Sequence, residues 1–149
     1  MTDPVIPVSW GELLDKIVIL EIKCQRLRAP DARANAEREL QLLRHSAALP
    51  FRIPELQAAL LAVNTRLWRI EDLIREKEAA GEFGPGFVTL ARAVYHENDE
   101  RGRIKRAINQ LLRSTLVEEK QYSRYESAGA PGGDAGDARA TVTSERTLP

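Results

Sequence analysis

Cysteine is nearly absent: Cys24 is the one cysteine in 149 residues, so no internal disulfide can staple the chain. Aromatic residues make up only 5%, which leaves aliphatic side chains to build the core. An excess of either charge is missing too, since 22 Lys and Arg oppose 22 Asp and Glu. A chain without net charge has no long-range field to gather nucleic acid or an anionic membrane surface. The aromatic interleaving of nucleic-acid binders is also lacking. The longest strictly apolar run, Ile17 to Leu20, is far short of the roughly 20 residues that span a bilayer. The opening Met-Thr-Asp-Pro lacks the basic start and apolar stretch of a secretory signal, so the expected location is the cytoplasm. His45 and His96 have no neighbours at ligand spacing, and there is no phosphate loop, nucleotide fingerprint or zinc motif. Neither a metal nor a cofactor is expected.

What is present is helix-forming. Leu, Ile, Ala, Glu and Arg dominate, and hydrophobic residues reach 43%, which suits aliphatic packing between helices. Ser9 and Glu12 form the S-x-x-E pattern of a capping box, with Val8 and Leu13 placed as a hydrophobic staple. Leu13, Ile17, Leu20, Cys24 and Leu27 then recur at four, three, four and three. Leu14, Val18, Ile19 and Ile22 widen that stripe, so helix 1 is expected to be covered on more than one side before Pro30 stops it. Asp31 is expected to cap a second, outer helix to about Ala47, with Ala36, Leu40 and Leu43 inward. Pro50 and Pro54 bracket an extended connection.

The third helix, from about Glu55 to Ala80, carries Leu56, Leu60, Val63, Leu67, Ile70 and Ile74 in strict alternation. It would be ~40 Å long, closed by Gly81, with Gly84-Pro85-Gly86 reversing the chain. Phe87, Leu90, Ala91 and Val94, then Ile104, Ile108, Leu111 and Leu112, define a fourth helix, read as one element across Gly102. Residues 115–125 read as a short helix (Thr115 and Glu118 repeat the capping pattern) or an extended arm. The expected fold is thus all-α: a small bundle on a long antiparallel hairpin, with residues 5–125 as the helical domain and 126–149 as a disordered tail.

Two polar stripes run along the hairpin. Asn64, Trp68, Glu71 and Arg75 share one side of helix 3, and Asn98, Arg101, Lys105 and Asn109 share one side of helix 4. Glu12, Lys16, Lys23 and Arg26 could add a third from helix 1. One reading is a pocket for a small anionic ligand, with Arg101 and Lys105 supplying charge, Asn98 and Asn109 directional hydrogen bonds, and Trp68 a flat wall. The other is an internal network that fixes helix register. Charge placement separates them: a pocket needs Arg101 and Lys105 unpaired, whereas a scaffold needs them neutralised by Glu71 or Asp72.

Several segments resemble a bacterial family of small helical proteins labelled a domain of unknown function. They are the run from Ser9 to Lys23, Leu67 to Asp72, Ile74 to Glu78, Val94-Tyr95, and Asn98-Asp99 with Arg101. Ile104 to Arg106, Ile108-Asn109 and Leu116 to Lys120 complete the set. The resemblance covers residues 5 to 125. It implies a link to surface-polysaccharide or sugar-nucleotide pathways, because similar segments sit beside glycosyltransferase or tetratricopeptide-repeat regions, and it carries over no catalytic residue. Arg113 stands where that family tends to have the Gly that ends helix 4, which leaves the end of helix 4 open, with continuation towards Tyr122 as one alternative.

The functional expectation is a non-enzymatic helical interaction module, self-associating or docking on a partner protein, because helices 1 and 3 carry more apolar surface than a lone hairpin covers. The alternative is a small all-helical ligand-binding protein or enzyme of the chorismate-mutase kind. Those enzymes bind a dianion among Arg and Lys on bundled helices, although the spacing here differs from their first helix.

Overall fold

Ser9 opens the first helix, α1 (Trp10–Arg26), as its sequence pattern requires: in extended conformation it accepts the Glu12 N–H on its hydroxyl at 3.2 Å. The computed structural model describes residues 3–48 and 52–123, which form α1, α2 (Pro30–Ser46), α3 (Pro54–Ala80) and α4 (Pro85–Leu111), with no strand among them. The chain divides into two units after Glu119, and all four helices lie in the first. Residues 126–149, expected as a disordered tail, lie outside the described residues, as do residues 124–125 of the expected domain and Pro50 and Phe51 of the expected extended connection.

α1 is the centre of the architecture. Leu14, Ile17, Val18, Leu20 and Ile22 are all buried, and α1 packs against α2, α3 and α4, whereas α2 packs against α1 alone. That is the arrangement its apolar girth requires. Ala36 and Leu40 supply the inward face of α2, and the ion pairs Lys16–Glu39 at 2.8 Å and Arg44–Glu21 at 2.6 Å flank it. α2 begins two residues earlier than the sequence suggested. Pro30 rather than Asp31 sets its start, with Ala29 in the cap position, because proline at the first helical position is already fixed at a helical φ. Arg33 Nη2 and Nε reach back to the Leu27 carbonyl at 2.8 and 3.2 Å and close the α1–α2 turn.

Proline also opens α3 and α4, so Pro85 and Gly86 belong to the first turn of α4 rather than to the reversal. Gly81 ends α3 in left-handed conformation, φ 67°, with Glu82 N–H on the Lys77 carbonyl at 2.9 Å. α4 continues through the buried Gly102 as one helix. It does not run on towards Tyr122. Arg113 takes φ 52°, its N–H meets the Gln110 carbonyl at 3.3 Å, and the Ser114 N–H meets that of Asn109 at 2.8 Å. These are the two bonds of a Schellman stop, made with arginine where glycine would cost less. From Ser114 to Ser123 no helix forms, so Thr115 caps nothing.

Leu60, Val63, Ile104 and Ile108 are fully enclosed where α1, α3 and α4 meet, each contributing roughly 1.5–3 kcal/mol through burial. Beyond that level α1 thins out, its Ile19 and Ile22 reaching Trp68, Arg75 and Asn98, and the turn end of the hairpin outruns it. α3 and α4 have 27 residues each against 17 in α1. From Trp68 to Arg101 no residue is fully buried, and Ile70, Leu73, Ile74, Leu90, Ala91 and Val94 keep partial exposure. This half is the arm of the hairpin.

Candidate functional site

The start of α1 is locked onto the end of α4 through backbone. Helix N-termini leave free N–H groups, and here three of them find three different acceptors. Trp10 donates to Ser114 Oγ at 2.9 Å, Gly11 to Asn109 Oδ1 at 2.7 Å, and Glu12 to Ser9 Oγ. Ser114 Oγ also donates to Asn109 Oδ1 at 3.1 Å. Gly11 permits this approach, since a Cβ there would stand 2.6 Å from the Lys105 carbonyl oxygen and 3.0 Å from Asn109 Oδ1.

Lys105 lies just inside that junction, its side chain only 8% exposed. Its ammonium donates to Glu12 at 2.6 Å and pairs with Glu118 at 3.0 Å. The Glu12 carboxylate therefore serves a lysine on another helix, not the second half of the capping box. Burial pushes the Lys105 ammonium down, but the hydrogen bonds to Glu12 and Glu118, with the charges of Glu12 and Asp15, outweigh it and hold the group above the ordinary lysine value. A lysine so held is a poor nucleophile or proton donor at neutral pH.

One turn further along α1, the buried Asp15 accepts Asn64 Nδ2 at 2.7 Å. The same amide nitrogen meets the Leu60 carbonyl at 3.0 Å, so Asn64 Oδ1 is turned towards α4, where Arg101 Nη1 donates to it at 3.3 Å. The relay aims the guanidinium into a cleft of about 510 Å³ between α1, α3 and α4. Ile19, Ile22, Leu67 and Trp68 give the cleft its apolar wall, with Glu71, Asp72, Arg75 and Asn98 around it. Arg75 is paired with Glu71 at 2.6 Å, and Asn98 Nδ2 holds the Val94 carbonyl at 2.9 Å. Among the described residues no carboxylate lies within ion-pairing distance of Arg101. No group of three or more His, Cys, Asp or Glu among them could hold a metal ion, and no helix is long and apolar enough to cross a membrane.

Residues 5–138 match the family described as a family of unknown function (DUF6165), which is most of the chain. The chain belongs to this family. No curated protein and no solved structure matches it.

In this DUF6165 chain the two polar stripes separate. Asn64, Trp68, Glu71, Arg75, Asn98 and Arg101 line the one cleft, whereas Lys105 and Asn109 leave it for the N-terminus of α1. The reason is the close approach at Gly11, which sequence spacing along the hairpin cannot register. Lys105 is neutralised, but by Glu12 and Glu118 instead of Glu71 or Asp72. Of the third stripe only Glu12 joins the network, since Lys16 turns outward to Glu39. Asp15 was not among the candidate residues. Its signal was its place in the stripe Gly11, Asp15, Val18, Ile22, spaced four, three and four and otherwise buried and uncharged.

Proposed function

We propose that the protein is a non-catalytic helical interaction module that self-associates through the arm of its α3–α4 hairpin. The observation that carries this reading is the turn end of the arm, which extends past the reach of α1 and keeps apolar side chains exposed. Val88 and Tyr95 stand 50% and 40% exposed and, seven residues apart, share one side of α4. Such surface favours a partner.

Charge supports a second copy set antiparallel. From Trp68 to Arg101 the arm has eight carboxylates and five cations, so the rest of this uncharged chain carries the opposite excess. Arg103 and Arg106 stand at the base of α4. Two arms side by side in parallel would repel, whereas an antiparallel pair sets each acidic arm beside its partner's basic end. To this reading we attach what the sequence resemblance implies: a cytoplasmic bacterial protein serving surface-polysaccharide or sugar-nucleotide pathways. Light scattering during gel filtration, from low to high micromolar concentration, tests the self-association. A concentration-dependent dimer is expected, and a monomer throughout the range would refute it.

A further inference from the structure

Arg101 differs from the chain's other paired cations. Lys16, Arg44, Arg66, Arg75, Lys77, Arg103 and Lys105 each meet a carboxylate, and Arg33, Arg38 and Arg92, which meet neutral acceptors, are exposed. Arg101 is half-buried, and its one hydrogen bond among the described residues goes to a neutral amide oxygen. That amide is itself fixed by a buried carboxylate, Asp15. Orientation by a neutral group leaves Arg101 without a direct ion pair among the described residues and most of its guanidinium donors unused, a fork suited to a bidentate carboxylate.

The surroundings narrow the ligand. Trp68, Ile19 and Leu67 give a flat apolar wall beside the fork, and the volume of about 510 Å³ lies within the range of small-molecule sites. Glu71 and Asp72 also line the cleft, so a doubly charged phosphate would meet about twice the repulsion that a single carboxylate meets. We infer that this cleft binds a small monocarboxylate with an apolar body, the carboxylate on Arg101 and the body against Trp68. The inference does not rest on self-association, whose exposed residues Val88 and Tyr95 do not line the cleft.

The test is an NMR titration of the full-length ¹⁵N-labelled protein with phenylacetate, phenylacetamide and inorganic phosphate. The Trp68 indole N–H and the amides of residues 98–101 are followed, with Trp10→Phe separating the two indoles. Saturable shifts with phenylacetate are expected at Trp68 and Arg101, with an affinity about tenfold or more above that for phenylacetamide, the usual worth of a charge-assisted pair. Arg101→Met should erase that preference while leaving any binding of the amide unchanged. Arg101→Lys, which keeps the charge and the fold but not the fork, should retain part of it. No saturable shift, equal affinity for acid and amide, phosphate binding tighter than phenylacetate, or an unaltered preference in both Arg101 variants would each overturn the assignment. All titrations use one protein concentration, so they stand whether or not the chain dimerises.

Discussion

Replacing Gly11 by alanine isolates the contact that joins the two ends of the fold. The added methyl would sit 2.6 Å from the Lys105 carbonyl oxygen and 3.1 Å from its carbon, both backbone atoms in mid-helix that cannot swing aside. α1 must then lift off α4, stretching the 2.7 Å bond from Gly11 to Asn109 and the 2.9 Å bond from Trp10 to Ser114. Overpacking costs roughly 1–3 kcal/mol and a weakened buried hydrogen bond about another 1. Alanine's better helix propensity returns at most ~1 kcal/mol. A net loss of about 2 kcal/mol follows, or a fall in Tm of roughly 6–10 °C for a domain of this size. Gly86→Ala is the matched control, since Gly86 holds the same second helical position in α4 and a Cβ there meets only Lys77 Cε at 3.9 Å. It should be neutral or stabilising by up to ~1 kcal/mol. Urea denaturation of both variants decides the matter. If Gly11→Ala is as stable as Gly86→Ala, the close approach of α1 to α4 is wrong.

Two other perturbations have definite signs. Arg113→Gly should stabilise by about 1 kcal/mol, because φ 52° is a left-handed conformation that glycine adopts freely; calorimetry should show a rise in Tm, and a fall would contradict the Schellman stop at α4. The raised affinity of Lys105 for its proton contributes stability that is fully present below the unfolded lysine value of about 10.4 and is lost as pH rises through the higher folded value. Lys105→Met should therefore lose less stability than the parent protein over that alkaline window. At neutral pH it should differ by no more than ~1 kcal/mol, since Glu12 and Glu118 are 52% and 42% exposed and rehydrate when released. Chemical denaturation at neutral and alkaline pH checks both statements, and parallel pH profiles for the two proteins would count against the pairing.

Periodicity made most of this fold legible. The alternation from Leu56 to Ile74, the left-handed glycine at position 81 and the wide apolar face of α1 each follow from local chemistry, and each has its counterpart in the structure. The six residues that share the cleft were found the same way, because helical spacing states which side chains lie along one side. What spacing does not state is which third element arrives beside them. Lys105 and Asn109 continue the stripe of Asn98 and Arg101, yet α1 crosses α4 at Gly11 and claims both. Asp15 escaped notice because a lone carboxylate on an apolar helix looks like an exposed interruption until Asn64 is seen against it. The end of α4 stays open in the sequence for a different reason. Arginine disfavours the left-handed conformation, and the Ser114 hydroxyl that holds Trp10 gives that turn a tertiary partner no local rule contains.

The exposed turn end of the arm is the centre of the functional account, and sedimentation velocity on the parent protein and on Val88→Glu tests it most directly. Val88 is half-exposed in the single chain, so the variant should fold with unchanged helix content. The account predicts that the parent sediments as a dimer at high micromolar concentration. Val88→Glu should raise the dissociation constant at least tenfold, equivalent to about 1.4 kcal/mol. A parent protein that stays monomeric, or a dimer indifferent to glutamate at position 88, would contradict it.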